Sequence, residues 1–148
     1  MKVSEAKQGR VFIIRLEDGE IVHEVLEGFA AEKGITHAVL TMHGGGDTGS
    51  VLVTGPKMDR CPPPIEPQQS VLKGVHEVMG TGTLFPDKAG KPILHVHLAC
   101  GRNEETITGC IRTGVKVWHV LEVVMVELLD CSARRLPDEA TGFELLIP

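Results

Sequence analysis

The run VWHVLEVVMVELL, Val117–Leu129, constrains this chain more than any other feature. It is long and rich in β-branched residues, and apolar side chains occupy both of its alternating sets of positions. As a strand it carries apolar residues on two faces and needs cover on both. His119, Glu122 and Glu127 interrupt it, so it does not read as a membrane span. Seventeen glycines and nine prolines fall largely between such apolar runs, which favours a turn-rich β protein over a helical bundle.

The rest of the chain fits that class. GRVFIIRL reads as a first strand, delivered into the polar EDGE. Asp18 is then the expected N-cap of a helix over IVHEVLEGFAAEKG, in which Ile21, Val22, Val25, Leu26, Phe29 and Ala30 recur at helical spacing and Gly34 stands where a helix ends. ITHAVLTM follows as a strand, HGGGDTG as a close-packed glycine-rich turn, and SVLVTG as a strand. PKMDRCPPPIEPQQ is too proline-rich for regular structure and reads as a surface loop or arm. Further strands are expected in SVLKGVHEVMGTGTLF, ILHVHLAC and TITGCI, with turns at PDKAGKP and GRNEE, before the long run. The order β-α-β followed by β elements predicts an α+β fold, mostly antiparallel sheet with one main helix. At 148 residues one domain is expected, with a core over roughly residues 8–130 and a C-terminal tail over 131–148.

Composition narrows the function classes. The formal net charge of -5 lacks the basic footprint of an autonomous nucleic-acid binder, and one Trp, four Phe and no Tyr supply few stacking platforms. Four cysteines form no CxxC pair, and MKVSEAKQGR lacks the apolar core of a signal peptide, so a reducing cytoplasm is the expected home and no membrane partner is expected.

Chemistry concentrates in LHVHLAC. Residues i and i+2 of a strand share a face, so His95 and His97 present two imidazoles about 7 Å apart at the backbone, while Cys100 falls on the other face. If the chain returns through Arg102–Glu105, Cys110 lies directly across from His97. Two imidazoles and a thiolate suit zinc, whose catalytic sites keep three protein ligands and an open position. His119, Glu122, His43 and Arg15 are candidates for a fourth ligand, an orienting group or a substrate contact, and His76 could face the same cavity. The alternative is structural: strand histidines often sit satisfied in a core or an interface, and cysteine often behaves as a small hydrophobe.

RLEDGE (Arg15–Glu20), the helix after it, GKP before ILHVHLA (Gly90–Ala99), and TGCIRTG before VWHVLEVVMVEL (Thr108–Leu128) together resemble the plants-and-prokaryotes-conserved (PPC) domain. The resemblance implies an α+β domain that assembles as a homotrimer. It also implies a fold like that of acetolactate decarboxylase, whose metal is held by an HxH strand and a histidine on the next strand. His95 and His97 match the HxH pair, and Cys110 takes the place of the third histidine, a departure that keeps a zinc-competent ligand. His119 could complete that set. The family is commonly labelled DNA-binding because plant members carry AT-hooks, and no such hook occurs in this chain.

Three functions compete on these grounds. The first is a homotrimeric protein binding zinc through His95, His97 and Cys110, with His119 as the candidate fourth ligand, acting on or sensing a small molecule, with Glu122 and Arg15 as candidate catalytic groups. The second is a DNA-binding or regulatory interaction module. The third is a structural trimer without metal.

Overall fold

A computed structural model describes residues 1–148. The chain forms β1 (Lys7–Glu17), α1 (Val22–Lys33), β2 (Ala38–Gly46), β3 (Val51–Pro56), β4 (Pro67–Val71), β5 (His76–Pro86), β6 (Pro92–Arg102), β7 (Glu105–Cys110), β8 (Val117–Leu129), β9 (Arg134–Pro137) and β10 (Glu144–Ile147). Eight strands make one sheet in the order β1-β8-β2-β5-β6-β7-β3-β4, and every pairing in it is antiparallel. β9 and β10 form a separate hairpin.

Alternation along the strands builds the core. Leu94, Val96, Leu98 and Cys100 of β6 point to the same side as Leu121, Val123 and Met125 of β8 and Leu40 and Met42 of β2, all of them buried. Helix α1 supplies Val22, Leu26 and Ala30 to this single cluster. Leu16 of β1 and Leu52 of β3 join the same cluster although they come from opposite ends of the sheet, so the sheet curls around the helix. The other face has no helix over it. Val11, Ile13, Val39, Met79 and Val124 remain exposed there, Ile13 at 80 % and Met79 at 67 %.

Several local expectations need correction. Asp18 is not the helix cap: Ile21 is, and its side chain makes no capping bond. The reason is tertiary pairing, because the Gly19 and Val22 amides donate to the Val117 and Val115 carbonyls and Ile21 bridges to Lys116. These long-range bonds hold the backbone extended as far as Ile21, so the helix starts only at Val22. Asp18 instead accepts from the His119 amide at 2.7 Å. The helix does end at Gly34, in the left-handed conformation at φ 67°.

The glycine-rich connection is strand rather than turn through Gly46. A Cβ at Gly44 would lie 2.3 Å from the Val120 carbonyl oxygen, and one at Gly45 2.3 Å from that of Trp118. Glycine there lets β2 pack against β8. The proline-rich stretch is irregular only to Glu66, since Pro67–Val71 pairs with β3. The C-terminal tail carries the β9–β10 hairpin, which its sequence did not announce.

Candidate metal centre

Two hairpin relationships position the site. β6 pairs with β7 so that His97 stands opposite Cys110 and Ala99 opposite Thr108, and β5 pairs with β6 so that Thr81 and Thr83 stand opposite His97 and His95. All these residues lie on the face away from the core. The ligand atoms of His95, His97 and Cys110 fall within 4.8 Å of one another. The two Nε2 atoms are 3.2 Å apart, and the rings meet edge to face at 75°.

Glycines on either side allow this close packing. A Cβ at Gly82 of β5 would meet the Val96 side chain at 2.3 Å and the His95 carbonyl oxygen at 2.5 Å. One at Gly109 of β7 would meet the Val53 carbonyl oxygen at 2.5 Å. Both strands can therefore lie tightly against their partners, which holds the imidazole and thiol carriers in place.

Electrostatics favour the neutral imidazole. Burial, then the charges of Arg135, His97 and Arg112, push His95 down to about 4, so the ring is neutral at pH 7 and one of its two nitrogens is free of a proton. That is the form that ligates a metal. Cys100, in the core on the opposite face, is pushed up to about 11 by burial and is a packed thiol. All four cysteines are unpaired.

Above the trio opens a cavity of about 880 Å³. Its floor is His95, His97 and Cys110, one wall comes from β3 and the proline-rich arm, and the other is the C-terminal hairpin. Arg112 and Arg135 line it. Burial and the neighbouring Arg112 weaken the hold of the Arg135 guanidinium on its proton. Sequence reasoning missed Arg135, because the tail carries no motif that ties it to a strand forty residues earlier.

The remaining candidates lie elsewhere. β8 is three strands from β6, about 14 Å along the sheet, so His119 does not join the trio within this chain. It stands exposed at φ 58°, its ring against Trp118. Arg15, Glu122 and His43 form a row across β1, β8 and β2, where His43 Nε2 lies 3.2 Å from a Glu122 carboxylate oxygen and Arg15 donates to Glu17. His76 is buried on the core face, with Nδ1 2.9 Å from the Gly74 carbonyl oxygen, and does not face the cavity.

Comparisons relate the chain to known proteins. A model of the Plants and Prokaryotes Conserved (PCC) domain matches residues 3–129. A metal-containing protein from Archaeoglobus fulgidus is 26 % identical, with all of both chains covered and a TM-score of 0.86. A plant- and prokaryote-conserved protein from Pyrococcus horikoshii is 22 % identical over 100 % of this chain and 98 % of that one, with a TM-score of 0.85. A protein from Ralstonia eutropha JMP134, named as a candidate DNA-binding protein, is 19 % identical over 92 % of this chain and 90 % of that one, with a TM-score of 0.71. No curated protein matches the chain. No helix is long and apolar enough to cross a membrane. With its antiparallel sheet and single helix, the chain belongs to the Plants and Prokaryotes Conserved domain family.

Proposed function

We propose that this chain is a single-domain, homotrimeric metal-binding protein that holds a zinc-type divalent ion through His95, His97 and Cys110 and binds a small molecule in the cavity above it. The observation that carries the reading is the convergence of two imidazoles and a thiol within 4.8 Å on rigid, register-locked strands. The donor set fits zinc: three N and S ligands leave a fourth position, and the cavity lies on that side. A metal-containing relative at 26 % identity adds support.

A zinc ion in this position supplies Lewis acidity to a carbonyl or a bound water. The chain's own residues do the rest. Arg135 and Arg112 bias the cavity toward anions, the C-terminal hairpin adds an apolar wall, and burial keeps His95 neutral. Arg15 and Glu122 lie on the same open face, outside the cavity, so a role for them in chemistry needs a neighbouring subunit to bring them near. The exposed apolar residues Val11, Ile13, Val39 and Val124 on that face support assembly, since an uncovered patch of this kind is uncommon on a monomer.

Metal analysis of untagged protein tests the reading. About one zinc per chain, lost in the His97→Ala/Cys110→Ala double variant, is expected; retention of stoichiometric metal by that variant would sink it. The DNA-binding alternative draws on the names of relatives such as the Ralstonia eutropha protein. A gel shift at physiological salt separates the two, and the net charge of -5 argues for no complex.

A further inference from the structure

Arg135 is a buried charge with no ion-pair partner. Its residue is 5 % exposed, yet no carboxylate lies within salt-bridge distance of it. One Nη2 donates to Thr83 Oγ1 at 3.1 Å, and Nε is buried with no partner at all. A largely buried guanidinium left this way is costly, because its charge has lost most of its water for one neutral hydrogen bond and Nε is closed off with none. Arg112, the second guanidinium lining the same cavity, also lacks an ion pair. Glu144 is the one acid on the cavity wall, and it is not bonded to either arginine.

The hairpin that brings Arg135 to the sheet also brings an apolar surface. Phe143, Leu145 and Leu146 of the β10 strand and the turn before it face the cavity, opposite Ile65 of the proline-rich arm. These three hairpin residues are partly exposed in the isolated chain, at 49 %, 38 % and 38 %. The hairpin lies beyond residue 129, where the family model's match ends, so this half of the cavity is built outside the matched domain segment.

We propose that the cavity binds a small organic oxyanion, a carboxylate or a phosphate ester, whose charged end pairs with Arg135 and Arg112 and whose apolar body lies against Phe143, Leu145 and Leu146. Arginine forks match both carboxylate and phosphate oxygens, and both guanidinium groups line the cavity with no carboxylate paired to either. A volume of about 880 Å³ accommodates a metabolite-sized molecule. The inference deepens the metal reading by naming the class of molecule that meets the ion. The anion contacts themselves need only the arginines, so they exist with or without metal.

Isothermal titration of the intact oligomer with hexanoate, hexyl phosphate and hexan-1-ol tests this, on chelator-treated and on zinc-loaded protein. At least one of the two anions is expected to bind the metal-free protein, and the alcohol is expected to be silent. Arg112→Gln, at an exposed position that leaves the fold intact, and Arg135→Gln should each weaken that binding about tenfold or more. The better of the two anions identifies the headgroup. Silence of both anions toward metal-free protein overturns the proposal, whatever the loaded protein does, as does unchanged affinity in both Arg112→Gln and a folded Arg135→Gln. Metal content of the same samples is read separately: anion binding by wild-type protein that takes up no zinc leaves this inference standing and removes the metal reading.

Discussion

His97 and Cys110 stand directly opposite each other across the β6–β7 pair, and the neighbouring His95 brings its Nε2 to 3.2 Å from that of His97. A one-residue slip in that hairpin would turn Cys110 to the core face and break the trio. Register is therefore as important to the site as residue type.

That relationship yields a spectroscopic prediction. With cobalt in place of zinc, the wild type should show thiolate-to-metal charge-transfer absorption, which Cys110→His should abolish while still binding metal. His97→Ala should weaken binding by about a hundredfold, an effect at least as large as the loss of an outer-shell partner. Competition with a chromophoric chelator measures both.

Gly82 gives a test at a distance from the ligands. Gly82→Ala puts a methyl group 2.3 Å from a Val96 side-chain carbon and must push apart the strands that carry the histidines. Destabilisation of about 1–3 kcal/mol is expected from overpacking, together with a measurable drop in metal affinity. Denaturant unfolding and the chelator competition report the two effects independently.

The uncovered face predicts an oligomer. Ile13→Lys, at a residue 80 % exposed in the single chain, should leave the monomer fold intact and shift the proposed trimer toward monomer, because an ammonium buried without a partner costs several kcal/mol. Sedimentation velocity gives the answer; a wild type that runs as a monomer contradicts the assembly.

Glu127 sets an acid limit on stability. Arg10 donates Nε and Nη2 to its two carboxylate oxygens at 2.8 and 2.7 Å, and these bonds hold the carboxyl below its usual 4.5. The folded state then binds this proton less readily than the unfolded one, so the contribution is present above about pH 4.5 and is lost as pH falls through the depressed value. Glu127→Gln should be less stable at pH 7 and should show a shallower loss of stability below pH 4.5, measured by urea unfolding across the range.

Much of the site was legible in short stretches. LHVHLAC assigns His95 and His97 to one face and Cys100 to the other through the two-residue period of a strand, and the GRNEE turn sets the register that brings Cys110 across from His97. The helix end at Gly34 was equally local. Its start was not, because the backbone around Ile21 is held by residues 115–117, almost a hundred positions away.

The sequence by itself determined the face and register of the His95, His97 and Cys110 trio, because both follow from backbone geometry within about twenty neighbouring residues. Only the tertiary structure decided which strands lie beside it. β8 pairs with β1 and β2, which separates His119 and Glu122 from the trio, and the C-terminal hairpin folds back to set Arg135 beside Thr83. Strand order and tail docking are long-range choices, settled by which apolar surfaces bury one another across the whole chain, and no local pattern records them.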